Sequence, residues 1–305
     1  MPSLQPSSHL RAIGFALTGF TFWVMGDMFM KLAKETGTPG PQIMAIAGFT
    51  GMAALFLLAA LRGGVQSLRP KKPLILAALG LMFLLNYMVW LIALARLPLA
   101  NFYTVIFLAP TVGAIFAAIF LREALNLQKI LAIIAGFVGV IIAVNPTQLF
   151  HDKSYWLGYA ATLFGMFVIV TQMLTMRYAG NHESRESIAF YPRIAAVLGG
   201  IVGMILWGVE PMTMKGLLYS ILTGSLGGFG WMCMAQAYKL APAATIAPFH
   251  YSQIISGAFF GYLIWHDVPS LHLLCGAVII VGSGLYIVTH ARKAGQLAKT
   301  LVETP

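Results

Sequence analysis

A carboxylate and an amine stand one helical turn apart inside the first apolar stretch, in MGDMFMKLAKE (25–35). The helical rise places Asp27 about 7 Å inside the expected end of that stretch. A charge at depth in lipid costs about 2.5–3.5 kcal/mol, and Lys31 could offset part of that as an i,i+4 partner. Two interpretations stay open. Either Asp27 binds a cationic group or a proton with Lys31 as its resting partner, or the pair closes the helix end while Lys31 reaches outward.

A second polar group interrupts LAPAATIAPFHYSQIISGAFF (240–260) near its middle. His250, Gln253 and Gly257 share one helix face because their spacing is i, i+3, i+7. Pro248 removes one backbone donor, so neighbouring helices or a water-filled cavity must satisfy the freed carbonyl. We interpret this face as the lining of a polar cavity. Hydrogen bonds that join neighbouring helices are the alternative.

Aromatic residues with polar tips stand in the third and fourth apolar stretches. Asn86 is central in the third, with Tyr87 beside it and Trp90 one turn further on, and Tyr103 lies near the start of the fourth. This set suits a flat or zwitterionic metabolite, which it could bind by stacking and hydrogen bonding. The alternative is an aromatic belt at the membrane surface, which better fits three other residues: Trp156, Trp207 and Trp265.

Further polar and aromatic groups lie inside later stretches. Gln172 stands in the sixth stretch and Trp231 in the eighth. Arg193 lies about 8 Å into the seventh. Its guanidinium could meet an anionic group or extend along the helix to the cytoplasm, and we favour the second interpretation.

The composition assigns the chain to the membrane class. Of its 305 residues 59% are hydrophobic and 9% are charged, and the mean hydropathy is +0.83. Soluble domains carry roughly 25% charged residues. The net charge of +10 does not indicate a nucleic-acid partner, because the basic residues are scattered between apolar segments and form no basic face. Cys233 and Cys275 both lie in apolar segments and are expected to be small buried hydrophobes.

Apolar stretches of roughly 20 residues, each long enough to cross a bilayer as a helix, recur along the chain. The predicted spans are 13–32, 42–61, 74–94, 101–121, 129–145, 155–176, 188–209, 215–237, 243–265 and 271–289. Most Lys and Arg residues between the spans fall on the side that carries the N-terminus. The positive-inside rule therefore predicts that both termini are cytoplasmic.

The two halves of the chain resemble each other at a constant offset of 144 residues. GFALTGF (14–20) aligns with GYAATLF (158–164), Pro98 with Pro242, and Tyr87 with Trp231. Because each repeat unit has an odd number of spans, its two copies must enter the membrane in opposite directions. We therefore predict an all-α membrane protein of ten transmembrane helices in two inverted five-helix repeats, an architecture typical of secondary transporters. The predicted units are residues 1–148, 149–292 and a cytoplasmic tail over 293–305.

The motifs LPLANFYTVIFLAP…FLREAL (97–125) and LAPAATIAPFHYSQ…WHDVPS (240–270), together with the 5+5 repeat, resemble the EamA-type drug/metabolite transporter superfamily. The second motif and the Asp27–Lys31 pair are most similar to the branch of S-adenosylmethionine uptake carriers. The resemblance implies a substrate cavity lined by helices one, three, four, six, eight and nine. Many relatives carry an arginine in the second helix, whereas AIAGFTGMAA (45–54) has none, so no substrate contact is carried over there.

We therefore expect a secondary transporter of the bacterial inner membrane that moves a small polar organic metabolite by alternating access. The substrate would be an amino acid or a derivative, including one similar to S-adenosylmethionine. The alternative is a translocase of a lipid-linked or amphipathic substrate. No catalytic set, cofactor or metal site is expected, and the protein would be a monomer or homodimer among membrane lipids. The candidate cavity residues are Asp27, Asn86, Tyr87, Trp90, Tyr103, Gln172, Trp231, His250 and Gln253, with Asp27 and His250 as candidates for ion or proton coupling.

Overall fold

The computed structural model of the chain describes residues 6–62, 65–109, 111–112, 115, 127–144, 153–179, 182–240 and 247–286. Over these residues the chain forms helices and turns without a β-strand. The α-helices of this part are α1 (Pro6–Glu35), α2 (Gly40–Arg62), α3 (Pro73–Leu94), α4 (Leu99–Ile106), α5 (Leu127–Val144), α6 (Lys153–Ala179), α7 (Arg185–Trp207), α8 (Met214–Leu240), α9 (Ser252–Trp265) and α10 (Leu271–Tyr286). Two short 3-10 helices cover Val65–Leu68 and Ala247–Tyr251.

Six helices of the described chain, namely α1, α2, α3, α6, α7 and α8, are long and apolar enough to cross a membrane. Two shorter apolar segments, Ile130–Ala143 in α5 and Leu271–Tyr286, accompany them. Large apolar side chains such as Leu57 and Ile205 are exposed on their outer faces. Such an apolar surface is costly in water and suits hydrocarbon, where each helix satisfies its own backbone hydrogen bonds.

The ends of these helices follow local sequence signals. Pro73 begins α3, where its missing amide hydrogen costs nothing. The Ser184 side chain accepts a hydrogen bond from the Ser187 amide at 2.9 Å and caps α7. Gly208, with a positive φ of 86°, follows the end of α7.

Two predicted spans differ from the helices observed. We predicted one helix over 243–265, but the 3-10 helix at Ala247–Tyr251 precedes α9. Pro248 has no amide hydrogen for the α-helical ladder, which accounts for the change of helix type at this point. The span predicted over 101–121 begins as α4, and most of its second half lies outside the described residues.

The helices pack in a regular scheme around α1, α3, α4 and α9. Helix α1 packs against α8 and α9, whereas α3 packs against α6 and α7. Helix α2 packs against α7 and α8, and α4 against α9, α6 and α5. A Cβ on Gly19 would lie 3.0 Å from the Gly230 carbonyl oxygen, so the absence of a side chain allows α1 and α8 to approach closely. The main core lies where these helices meet and includes Val24, Phe102 and Met166.

Polar contacts join neighbouring helices at both ends of the bundle. At one end the Trp265 indole donates to Glu35 Oε1 at 2.7 Å, which links α9 to α1. At the opposite end Glu183 Oε1 accepts hydrogen bonds from the amides of Lys71 and Lys72, just before α3. Both contacts give hydrogen-bond partners to polar groups at helix ends that would otherwise have none.

Candidate functional site

A carboxylate at the centre of the helix bundle forms the first part of the candidate site. Asp27, on α1, accepts a hydrogen bond of 2.5 Å from the Tyr103 hydroxyl on α4. The Trp90 side chain on α3 lies within hydrogen-bonding reach of the same carboxyl group. Three helices therefore converge on one carboxylate, and its partners here are two neutral donors.

Close packing fixes the position of the Trp90 ring. Trp90 meets Phe102 edge to face, with ring centroids 4.9 Å apart. On its other side is α6, where a Cβ added to Gly165 would lie 2.8 Å from Trp90 Cζ3. The glycine therefore leaves the space that the indole fills beside Asp27.

Lys31 does not serve as the partner of Asp27 in this structure. Its amine donates to the Leu97 carbonyl at 3.1 Å and lies 4.4 Å from the centroid of the Trp265 ring. Its electrostatic neighbours are Asp267 and Glu35. The interpretation that Lys31 is the resting partner of Asp27 is therefore wrong for this conformation. Lys31 does not reach outward either, because the residue is buried and its amine is bound to the Leu97 carbonyl.

A second polar group connects α3 to α6. Asn86 Nδ2 donates to Gln172 Oε1 at 3.1 Å, and Asn86 is 8% exposed. The Asn86 Oδ1 atom and the Tyr87 hydroxyl are buried and find no hydrogen-bond partner in the described part of the chain. Tyr87 is within electrostatic range of both Asp27 and Arg193. Unsatisfied buried polar atoms carry an energetic cost, which indicates a ligand or water that they bind.

Arg193 lies inside the helix bundle and not at the membrane surface. We expected it to extend to the cytoplasm, but it is 5% exposed and its NH1 group donates to the Ala189 carbonyl at 2.5 Å. Its guanidinium lies 5.8 Å from the Phe83 ring centroid. Together with Gln172 and Trp231 it lines a small cavity between α3, α6, α7 and α8. The signal in the sequence was the cost of an arginine inside an apolar helix.

His250 lies in an aromatic enclosure between the two halves of the chain. Its ring stacks on Phe20 at a centroid distance of 4.6 Å and meets Phe107 edge to face at 5.0 Å. The centroid of the Trp23 ring lies 6.5 Å from that of His250 and 5.9 Å from that of Trp231. The chain of rings therefore connects His250 to the cavity that contains Arg193.

Gln253 contacts the backbone of a neighbouring helix. It is 3% exposed, and its Nε2 lies 3.4 Å from the Phe20 carbonyl oxygen, a long hydrogen bond between α9 and α1. One turn further on, a Cβ on Gly257 would lie 2.9 Å from the Tyr103 ring. This face of α9 therefore packs on α1 and α4, beside the Asp27–Tyr103 hydrogen bond.

Most of the residues singled out from the sequence come together. One group joins Asp27, Trp90 and Tyr103, with Tyr87 within electrostatic range of Asp27. A second group joins Asn86, Gln172 and Trp231, and His250 and Gln253 lie on α9 and the turn before it. Within the described residues no cluster of His, Cys, Asp and Glu could hold a metal ion. The described residues therefore bring together neutral donors, aromatic rings and two charged groups, the kinds of side chain that line small-molecule sites.

Comparison with known proteins relates this arrangement to a family. The profile of the EamA-like transporter family matches the chain twice, over residues 10–145 and 156–289. The chain belongs to the EamA-like transporter family. It is therefore a multi-pass membrane transporter of small molecules.

Relatives of this EamA-like transporter carry different substrates. It is 27% identical over 232 residues to the S-adenosylmethionine uptake transporter of Rickettsia bellii, covering 76% of this chain and 78% of that one. It is 28% identical over 271 residues to the pseudopaline exporter CntI of Pseudomonas aeruginosa, covering 87% and 91%. It is also 25% identical over 208 residues to the riboflavin transporter of Brucella anthropi, covering 65% and 70%.

A solved crystal structure shares the fold of this EamA-like transporter. The two superpose with a TM-score of 0.62 at 19% sequence identity, over 91% of this chain and 98% of the other. At that identity the likeness shows the fold alone. The bacterial relatives and the apolar helices together make this a multi-pass protein of a bacterial membrane.

Proposed function

We propose that this EamA-like transporter is a secondary carrier that moves a small polar organic metabolite, an amino acid or a derivative, across the bacterial inner membrane. The observation that carries the proposal is the Asp27 carboxylate, held by Tyr103 and Trp90 without a basic side chain as partner in the described chain. A carboxylate inside a membrane helix bundle is costly when it has no counter-charge. The ammonium or other cationic group of a substrate, or a proton, would supply the missing partner.

The aromatic surroundings extend the proposal to the kind of substrate. Trp90 lies beside the Asp27 carboxyl group, and Trp231 lines the cavity with Arg193. Aromatic rings next to polar groups suit an amino acid with a flat or cationic side group. The similarity to an S-adenosylmethionine uptake transporter supports a substrate of that kind. The direction of transport differs among the named relatives, one an importer and another an exporter.

The proposed mechanism is alternating access of two inverted repeats, residues 1–148 and 149–292, with a tail over 293–305. The helix pairing supports it. If α1–α5 correspond to α6–α10, the packing of α1 on α8 corresponds to that of α6 on α3, and α2 on α8 corresponds to α7 on α3. The α2–α7 and α4–α9 pairs each correspond to themselves. Any pseudo-two-fold axis between the two halves produces this relation, and the odd number of helices in each half would place that axis in the membrane plane.

The distribution of basic residues supports an orientation with both termini in the cytoplasm. The end of the bundle with Glu35 and Trp265 would then face the periplasm. The end with Glu183 would face the cytoplasm.

Two residues are candidates for coupling transport to protons or cations. Asp27 is the stronger candidate on geometry, because it contacts only neutral donors in the described chain. His250 is enclosed by aromatic rings and can exchange a proton only if that enclosure opens. We therefore propose that Asp27 binds the substrate cation or the coupling proton, and that His250 contributes to the wall.

Exchange of metabolites in proteoliposomes tests the proposal. Purified protein would be offered amino acids, nucleosides, riboflavin and S-adenosylmethionine, with and without a pH gradient, and accumulation would be read by mass spectrometry. We expect one amino acid or derivative to accumulate above empty liposomes and the Asp27→Asn variant to lose this accumulation. Glu210→Gln, which neutralises an exposed carboxylate, is the matched control.

Two results would contradict the proposal. One is undiminished transport by Asp27→Asn. The other is a folded protein that accumulates nothing and instead moves fluorescent lipid-linked sugars between leaflets, which would establish the translocase alternative.

A further inference from the structure

We propose that Arg193, on α7, is the anion-binding residue of this transporter and that its guanidinium holds a carboxylate of the substrate. The inference rests on the proposed transport function and specifies its substrate class. The substrate would be a zwitterion, with its cationic group at Asp27 and its carboxylate at Arg193. Nothing in the family match assigns a role to this arginine.

Arg193 is buried and has few hydrogen-bond partners in the described chain. A guanidinium has five N–H donors. In the described chain Arg193 uses one of them on the Ala189 carbonyl of its own helix and presents a face to Phe83. No carboxylate of the described residues pairs with it, although it is 5% exposed. A buried, unpaired cation destabilises the folded protein, and such a residue inside a membrane helix indicates a functional partner.

A cavity of about 10 Å³, room for about one water molecule, lies beside Arg193, so its lining side chains would have to move apart to admit a carboxylate. Gln172 and Trp231 line it with Arg193, and Leu79, Phe83 and Ile188 form apolar walls. Gln172 accepts a hydrogen bond from Asn86 through its Oε1 atom, so its amide nitrogen remains a donor. Two donor groups in an apolar enclosure bind a carboxylate well, because the low local dielectric strengthens charge-assisted hydrogen bonds.

The backbone of α2 positions the arginine. A Cβ on Gly51 would lie 2.9 Å from Arg193 Nε and 3.2 Å from its Cδ atom. Any side chain at this position would therefore displace the arginine from its present course. The space left by the glycine holds the guanidinium inside the bundle.

Tyr87 connects the two charged groups. Its buried hydroxyl has no hydrogen-bond partner in the described chain, and it is within electrostatic range of Asp27 and of Arg193. A substrate that spans from one charge to the other would pass this hydroxyl and satisfy it. Tyr87 therefore places this hydroxyl within electrostatic range of both charged groups, which suits a molecule with a cationic and an anionic end.

Matched ligands with and without a carboxylate test the inference. Wild-type protein and Arg193→Gln would be titrated in detergent with S-adenosylmethionine and its decarboxylated form, and with L-methionine and methioninamide, following thermal stabilisation. We expect wild type to prefer each carboxylate form by about 10-fold or more, and Arg193→Gln to lose that preference. Arg193→Lys, which keeps the charge but not the planar fork, should retain part of it.

A control and a stability measurement separate binding from a structural role. Arg96 makes the same hydrogen bond to its own helix, to Ile92 O at 3.0 Å, but at an exposed helix end. Arg96→Gln should keep the carboxylate preference of wild type. Arg193→Met should unfold at the same temperature as the ligand-free wild type or higher, because it removes a buried unpaired charge.

The outcomes distinguish this inference from the proposed function. Equal preference for both forms by wild type, an unchanged preference in Arg193→Gln, or a strongly lowered Tm in Arg193→Met would overturn the role of Arg193. If the ligands without a carboxylate accumulate in proteoliposomes as fast as S-adenosylmethionine and L-methionine, the role of Arg193 is overturned but the transport proposal is not. Carboxylate-dependent stabilisation without accumulation of any solute would support the subsite and overturn the transport proposal.

Discussion

The Tyr103 hydroxyl donates a hydrogen bond of 2.5 Å to Asp27 Oδ2 and so joins α4 to the carboxylate of α1. The two residues are 76 positions apart in sequence. Tyr103 is 3% exposed and stacks on Phe107, with ring centroids 6.2 Å apart. A tyrosine held this way orients the carboxylate, which matters because a binding group must be positioned before the ligand arrives.

Removal of this hydroxyl should weaken substrate binding without unfolding the protein. We expect Tyr103→Phe to lower apparent substrate affinity by about 10-fold or more, since a hydrogen bond to a charged group contributes about 1.5–3 kcal/mol. Thermal stabilisation by the transported substrate measures it. Tyr262→Phe, which changes an exposed tyrosine of α9, is the matched control. An affinity equal in Tyr103→Phe and wild type would contradict an orienting role.

Asp27 and Lys31 should behave as independent residues. The lysine amine is bound to the Leu97 carbonyl and the Trp265 ring, away from the carboxylate. A double-mutant cycle of Asp27→Asn and Lys31→Met should therefore show a coupling energy below about 0.5 kcal/mol in the free energy of unfolding. A double variant that loses clearly less stability than the sum of the two single losses would instead indicate a direct ion pair between Asp27 and Lys31.

A methyl group on α6 should disturb the site through Trp90. The Cβ of a Gly165→Ala variant would lie 2.8 Å from the indole, so the ring must shift away from its place beside Asp27. We expect about a 10-fold loss of substrate affinity, because overpacking at such a site costs about 1–3 kcal/mol. Gly14→Ala on α1, where a Cβ meets nothing within 4 Å, should leave affinity unchanged. If both variants bind alike, Trp90 does not transmit the effect.

The Glu183 side chain should stabilise the opposite end of the bundle. Its Oε1 atom accepts the amides of Lys71 and Lys72, and the residue is 7% exposed. Glu183→Ala leaves these amides without their acceptor and should cost about 1–3 kcal/mol of stability. Glu183→Gln, which keeps an acceptor oxygen, should lose less, and Glu210→Ala at an exposed site should lose little. Thermal unfolding in detergent measures all three, and an order in which Glu210→Ala is the least stable would refute this account.

Helix positions were largely predictable from the sequence, whereas side-chain partners were not. The apolar period and length located α2, α3, α6, α7 and α8 to within a few residues, whereas α1 begins seven residues before its predicted start. Asp27 was correctly expected to lie inside a helix, but its pairing with Lys31 was wrong for this conformation because an i,i+4 spacing allows a contact without requiring it. Arg193 was assigned to the membrane surface, since a long flexible side chain can reach water from several positions.

The sequence by itself determined that this is a helical membrane protein with polar groups inside apolar spans. Charge depletion and segment length decide that, because lipid tolerates little else. Only the tertiary structure decided that Tyr103 meets Asp27, that Gln172 and Trp231 share a cavity with Arg193, and that Gln253 binds the backbone of α1. These contacts join residues far apart in the chain. They form because helices approach closely at small residues such as Gly19 and Gly51. The sequence does not show which helix lies opposite each glycine.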